Sequence, residues 1–360
     1  MTSIPRGKGG FSQARNLLAL AAATLCCLAP LAAQTPTFTT FDAPDAGHGT
    51  NQGTVPISIN QGGVIAGDYY DASGSPHSFV RAAGGQITEF DAPGLLDSYV
   101  SGINRNGQVI GSGTYVTSKG GFVTGYLRSR NGVFIHIAPP GAVNTAPVGI
   151  NDSGEISGTF YDSAVVAHGF LRDASGNYSV IEEPDAVING PDSGTLVAGI
   201  NASGEVTGFY TYNGTLALRG FVRDVSGNFV AFDAPDAGTC VFCGTTPGFI
   251  NLSGEVSGEY VDNSFTKHGF VRDSAGNIVT FDVSGSLGTF VNGMNDAGTV
   301  VGGWFNGATT FLGFERTLSG STISFSAAPP DSTNATAINN SGHITGYYLD
   351  GFGTEHGFVK

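Results

Sequence analysis

The sequence predicts an all-β protein built from seven copies of one four-stranded antiparallel unit, and three observations predict it. Glycine supplies 56 of the 360 residues, about twice its usual share of roughly 7%, and glycine at that density opposes helix. The signature Ile-Asn-x-x-Gly, or a near variant, recurs with its asparagine at Asn60, Asn104, Asn151, Asn201, Asn251, Asn295 and Asn339. The steps between these asparagines are 44, 47, 50, 50, 44 and 44 residues, enough for four short strands with their turns.

Composition removes several classes. Charged residues make up 12% of the chain and only four are lysine, which excludes coiled coils and basic readers of nucleic acid. The 40% hydrophobic content, with 25 Phe and 12 Tyr, exceeds what a disordered chain carries.

Taken in order, residues 1–33 place Arg6, Lys8 and Arg15 ahead of an apolar run from Leu17 to Ala33 that contains Pro30. This pattern reads as a secretory signal peptide cleaved near Ala33, and not as a membrane span. Cys26 and Cys27 leave with it. The remaining chain has 12 basic against 29 acidic residues, a balance of −17, which repels nucleic acid and anionic membrane surfaces. Residues 34–360 are expected to form a single domain in the periplasm or outside the cell, and a monomer.

The fifth copy shows the unit plainly, with strands expected at 247–251, 255–261, 268–272 and 277–282. The turns Asn251-Leu252-Ser253-Gly254 and Asp273-Ser274-Ala275-Gly276 suit tight hairpins, where one residue accepts positive φ. Consecutive hairpins make a meander, and radial repetition of meanders makes a β-propeller, here of seven blades. The chain opens on a fourth-strand segment, 37–42, and stops on a third-strand segment, 356–360. These two are expected to pair, so that the N-terminal strand completes the last blade and closes the ring.

Each third strand ends in a basic residue: Arg81, Arg128, Arg172, Arg223, Arg272, Arg316 and Lys360. Four residues earlier stand His77, Thr124, His168, Arg219, His268, Leu312 and His356. Fourteen residues after those come Asp91, Ala138, Glu182, Asp233, Asp282 and Ser326, with Asp42 serving His356 across the closure. Where the first position is cationic the second is acidic, which predicts cross-strand pairs. Six residues before each histidine lies Asp71, Asp162, Asp262 or Asp350. The preferred reading of these four clusters is side-chain stitching, because one unit recurs four times. The competing readings are a divalent-cation site and acid–base chemistry, and no other cofactor is expected. An aromatic series, Tyr69, Phe160, Tyr210, Tyr260, Trp304 and Tyr348 with Gly113 as its exception, reads as packing between blades.

Cys240 and Cys243 are expected to form a loop-pinning disulfide in an oxidising compartment. The variable segments 92–100, 140–147, 184–197, 235–248 and 328–335 should gather on one face, where scaffolds carry function. Ligand-binding candidates there are His48, Asp185, Asp192 and Asp236. No nucleophile elbow, phosphate loop, zinc signature or dinucleotide fingerprint occurs, and no catalytic residue is assigned.

The unit Ile-Asn-x-x-Gly-x-Val-x-Gly followed by His-Gly-Phe-Val-Arg resembles the HAF family of bacterial extracellular repeats, named for a His-Ala-Phe motif. The resemblance runs over 37–360, with Gly in place of Ala in His168-Gly169-Phe170, His268-Gly269-Phe270 and His356-Gly357-Phe358, and Ser in His77-Ser78-Phe79. Arg219 and Leu312 depart from the histidine. What the resemblance implies is export and a propeller-like fold. The function expected is non-catalytic binding of a polysaccharide, peptide or envelope protein through the loop face. The alternatives are an exported glycoside hydrolase or polysaccharide lyase, or a purely structural surface component.

Overall fold

The structure is a computed structural model that describes residues 37–360 apart from 119, 189, 192, 213, 215, 308 and 309. The leader expected over 1–33 and the candidate Asp192 lie outside the described residues. Among the described residues all regular structure is β, in 28 strands, and no helix is long and apolar enough to cross a membrane.

The strands fall in chain order into antiparallel meanders of four. The first comprises strands Gly53–Ile59, Ile65–Tyr70, Pro76–Arg81 and Ile87–Phe90. The last takes Ser332–Ile338, Ile344–Leu349 and Glu355–Val359 from the chain end, and its fourth strand, Thr39–Phe41, from the beginning. There Thr39 lies opposite Val359 and Phe41 opposite Gly357.

The repeated asparagine has two uses. Its Oδ1 accepts the backbone N–H groups of the tight turn it opens, as Asn201 does from Ser203 and Glu205 at 3.0 and 2.9 Å. Its Nδ2 donates to the backbone carbonyl of the next asparagine in the series. Asn60 donates to Asn104, Asn104 to Asn151, Asn151 to Asn201 and Asn201 to Asn251. Asn251 then donates to Asn295, Asn295 to Asn339, and Asn339 back to Asn60. Aspartate could cap the turn but has no donor for the neighbour, so only an amide satisfies both contacts.

A second ring lies within the first strand of each meander, where a β-bulge interrupts every register. The extra residues, Ile57, Ser101, Val148, Ala198, Gly248, Asn292 and Thr336, all line one central channel of about 790 Å³. A bulge re-aims one side chain, and three of these bond the next first strand: Ser101 to the Pro147 carbonyl, Asn292 to Ala335, and Thr336 to Pro56. The bulge also lengthens the strand that the simple alternation suggests. The fifth first strand runs Gly244–Ile250 and not 247–251. The loops expected to end at 100, 147, 197, 248 and 335 therefore end at 98, 143, 194, 243 and 331. Gly244 opens its strand at φ 120°, and a Cβ there would sit 2.0 Å from the Leu218 carbonyl oxygen. Glycine alone permits that parallel contact between meanders.

The meanders stack through their faces. Phe79, Phe170, Phe221, Phe270, Phe314 and Phe358, the aromatic residues of the His-Gly-Phe series, are fully buried. Most apolar clusters join residues of two consecutive meanders, as Phe232 and Ala234 join Val256, Tyr260 and Phe270. The terminal basic residue of the third strand lies over the fourth-strand ring of the preceding meander: Arg81 over Phe41, Arg128 over Phe90, Arg272 over Phe232, Arg316 over Phe281 and Lys360 over Phe325, at 4.5 to 5.1 Å. Where that ring is replaced by Ile181, Arg223 has no such partner among the described residues. Where it is Ile137, Arg172 turns to Tyr178 of its own meander, 6.0 Å away. Each cation–ring contact adds about 0.5–2 kcal/mol, and this use of the basic residue was not legible in the pairing pattern.

Asn201→Asp keeps the turn-capping acceptor and removes the donor to Asn251. It is expected to cost about 1–3 kcal/mol, because a buried carbonyl loses its partner. A lower urea midpoint would register that loss, and an unchanged midpoint would refute the role assigned to the ring.

Candidate functional site

In an antiparallel meander the turns after the first and third strands lie at one end, and the loops after the second and fourth at the other. The asparagine ring marks the first end. The second end carries the variable loops and all four histidine clusters.

The structure brings those clusters together as chains. Nδ1 of His77, His168, His268 and His356 lies 2.9, 2.5, 2.9 and 3.0 Å from Asp91, Glu182, Asp282 and Asp42. Nε2 lies 3.6, 3.5, 3.6 and 3.5 Å from Asp71, Asp162, Asp262 and Asp350. Arg219 reaches Asp233 at 3.0 Å. Each loop aspartate also accepts two backbone N–H groups of its own loop, as Asp262 does from Ser264 and Thr266. Each imidazole stacks on the second-strand aromatic beside it, Tyr69, Phe160, Tyr260 or Tyr348, with centroids 4.8 to 5.1 Å apart. The aromatic series was expected to pack between meanders. Phe160, Tyr210, Tyr260 and Trp304 do so, but the ring-on-imidazole stack within the meander went unforeseen.

The two carboxylates approach opposite nitrogens, so the three groups form a line from loop to fourth strand. Among the described residues no three His, Cys, Asp or Glu side chains are grouped as a metal's ligands would be. The Ser73 hydroxyl and the Ser75 N–H, despite some desolvation, hold the Asp71 carboxyl down to about 2. Burial pulls the His77 imidazole down, but Asp91 and Asp71 outweigh it and its pKa is raised. The stabilisation from that histidine is therefore complete below its ordinary range and fades as pH rises through the raised value.

The loop-face candidates stand apart from these chains and from one another. His48, Asp185 and Asp236 are exposed, and their side chains make no hydrogen bond or ion pair with a described residue. Cys240 and Cys243 are joined by a disulfide, with Cα atoms 5.0 Å apart. The disulfide shapes a loop clasped on both sides. Phe242 N–H donates to the Leu216 carbonyl, and Thr239 N–H donates to Asn263 Oδ1. This arrangement sets Leu216, Phe242 and Phe265 on consecutive loops, all at left-handed φ of 56°, 60° and 61°. Phe242 and Phe265 are 53% and 71% exposed. Gly74 and Gly353 occupy the position of Phe265 in two other meanders, at φ 80° and 81°. Bulky residues in that region cost about 1–3 kcal/mol each, and such outliers concentrate at functional positions.

Asp68 was also missed. It is buried, its Oδ1 accepts from Val100 N–H and Ser78 Oγ–H, and burial outweighs these bonds to push its pKa up to about 7. Thr159 and Glu259 hold the equivalent place and accept from Val197 and Val291 in the same way. The position is thus a pin between meanders, filled in the first meander by an ionisable residue that burial strongly desolvates.

No family model matches the chain, and no curated relative does. Among solved structures, the β-propeller domain of the Trilobed protease from Pyrococcus furiosus, described as having an open velcro topology, matches with TM-score 0.56 and 8% identity over 85% of this chain and 95% of its own. A prolyl endopeptidase matches with TM-score 0.55 and 12% identity over 87% of this chain. This chain spans 47% of that enzyme's length. At such identities the likeness shows the fold alone, and the fold is a β-propeller.

Asp68→Asn retains the acceptor and cannot ionise. Because the native carboxyl titrates near 7 and the unfolded one near 4, the ionised form opposes folding increasingly between about pH 4 and 7. The variant should melt higher than the parent at alkaline pH, with the gap closing on acidification. A gap independent of pH would contradict the assignment.

Proposed function

We propose that this protein is an exported, seven-bladed, ring-closed propeller of the HAF type that binds an extracellular polysaccharide, peptide or envelope protein without converting it. Seven bladed units are supported by the 28 strands in sets of four. Closure is supported by the pairing of Thr39–Phe41 with the last strand and by the asparagine bonds that return from Asn339 to Asn60.

One observation carries the binding reading. The histidines and acids that recur on the loop face are tied to one another, whereas Phe242 and Phe265 stand exposed there at left-handed φ, Phe242 within a disulfide-bonded loop. Acid–base chemistry needs a free pair of titrating groups within reach of substrate, and a binding surface needs rigid apolar anchors. The patch around Phe242 and Phe265 fits the second requirement.

Removal of 37–46, so that the chain begins at Gly47, should lower and broaden the thermal transition. Unchanged, sharp melting at the parent temperature would defeat the closure. A glycan and secreted-protein binding screen with the mature protein should yield micromolar binding without product, and turnover would overturn the non-catalytic reading. Phe265→Gly should raise stability by about 1 kcal/mol through relief of left-handed strain while weakening binding at least several-fold. If binding is unaffected by both this change and Phe242→Ser, the patch is not the site.

A further inference from the structure

The second meander departs from the repeat at every position of the histidine chain, and a cavity of about 720 Å³ lies there. Its strands Val109–Thr117 and Gly120–Arg128 carry Gly113 in place of the aromatic and Thr124 in place of histidine, and Ala138 replaces the acid. Thr124 and His136 bond each other. Leu95, Tyr115, Phe122 and Val143 supply walls, and no Asp, Glu, Lys or Arg lines the space.

One polar group in that lining is left over. Thr54, Thr195, Thr245, Thr289 and Thr333 open the first strands of other meanders, and each hydroxyl accepts the backbone N–H of a residue just past the preceding fourth strand: Ala43, Glu183, Ala234, Val283 and Ala327. For Thr145 the corresponding residue is Pro139, which has no N–H. Thr145 is 2% exposed, and its hydroxyl has no partner among the described residues. That hydroxyl is not one of the fully enclosed unpartnered atoms and it borders the cavity, so it opens onto the space where a ligand would sit.

We propose that this cavity is a binding site for a neutral aromatic small molecule that hydrogen-bonds Thr145. Its volume falls in the range of small-ligand sites, about 300–1,000 Å³. An apolar lining without charge, in a chain of net charge −14, selects a neutral ligand over an ionic one. Ring walls from Tyr115 and Phe122 favour a planar partner. The site is separate from the patch around Phe242, so either can fail alone.

The probe is N-phenyl-1-naphthylamine, a neutral aromatic amine whose fluorescence rises on leaving water, titrated into the mature protein. Saturable one-to-one binding is expected. The double change Thr124→His with Ala138→Asp restores the histidine and its fourth-strand acid as found in four other meanders and should weaken binding at least tenfold. Val143→Trp, at a half-exposed rim position, should do the same even if the double variant folds poorly. Thr145→Val should weaken it several-fold without lowering the melting temperature, and Phe242→Ser should leave it unchanged. Absence of saturable binding, survival of binding in both filled variants, or equal affinity for the sulfonated analogue 1-anilinonaphthalene-8-sulfonate would overturn the proposal.

Discussion

The cyclic series of asparagine amides is the interaction on which the rest of the architecture depends. Each amide is buried, caps its own turn and reaches the carbonyl of the next asparagine. A buried polar group must be paired or it opposes folding, so each meander is complete only when its neighbour is in register. This couples units that would otherwise associate through non-directional apolar contact. The bulge ring repeats the principle one layer away, where Ser101, Asn292 and Thr336 bind carbonyls of the following strand.

With the inner strands held this way, the faces between meanders sort into two kinds of contact. Buried phenylalanines fill the middle, and a cation over a ring closes the edge near the turns. At the opposite end, histidine chains tie the outer strands to the loops. The apolar content lies largely between meanders, so deletion of one unit would expose two faces. The loop end carries what the scaffold does not use: the disulfide-pinned segment, the strained aromatics, and the cavity where the second meander gives up its histidine chain.

Much of this was legible in the residues because the repeat acts as its own alignment. The covariation of His77, His168, Arg219 and His268 with an acid fourteen positions on identifies pairs in space, since an antiparallel hairpin sets those positions opposite each other. The pairing of His356 with Asp42 across 314 residues followed from the same rule. The stack of imidazole on Tyr69, Phe160, Tyr260 or Tyr348 was open to the same comparison, because the aromatic and the histidine keep a constant spacing of eight residues. Asp68 gave no such signal, as its counterparts Thr159 and Glu259 share only the ability to accept a hydrogen bond.

Sequence by itself determined the unit, its strand order, its turns and the cross-strand pairs, because these depend on local φ preferences and on spacing within one hairpin. Tertiary structure alone decided what the repeated asparagine does with its second hydrogen-bonding group, where the bulge residues point, and which ring each arginine covers. Those contacts join residues of different meanders, 44 positions apart for Asn60 and Asn104 and 38 for Arg128 and Phe90, through stacking of whole meanders, and no spacing rule within a unit reports them. The same holds for Thr145, whose missing partner becomes visible only when the strand that should have supplied an N–H is seen to arrive with Pro139.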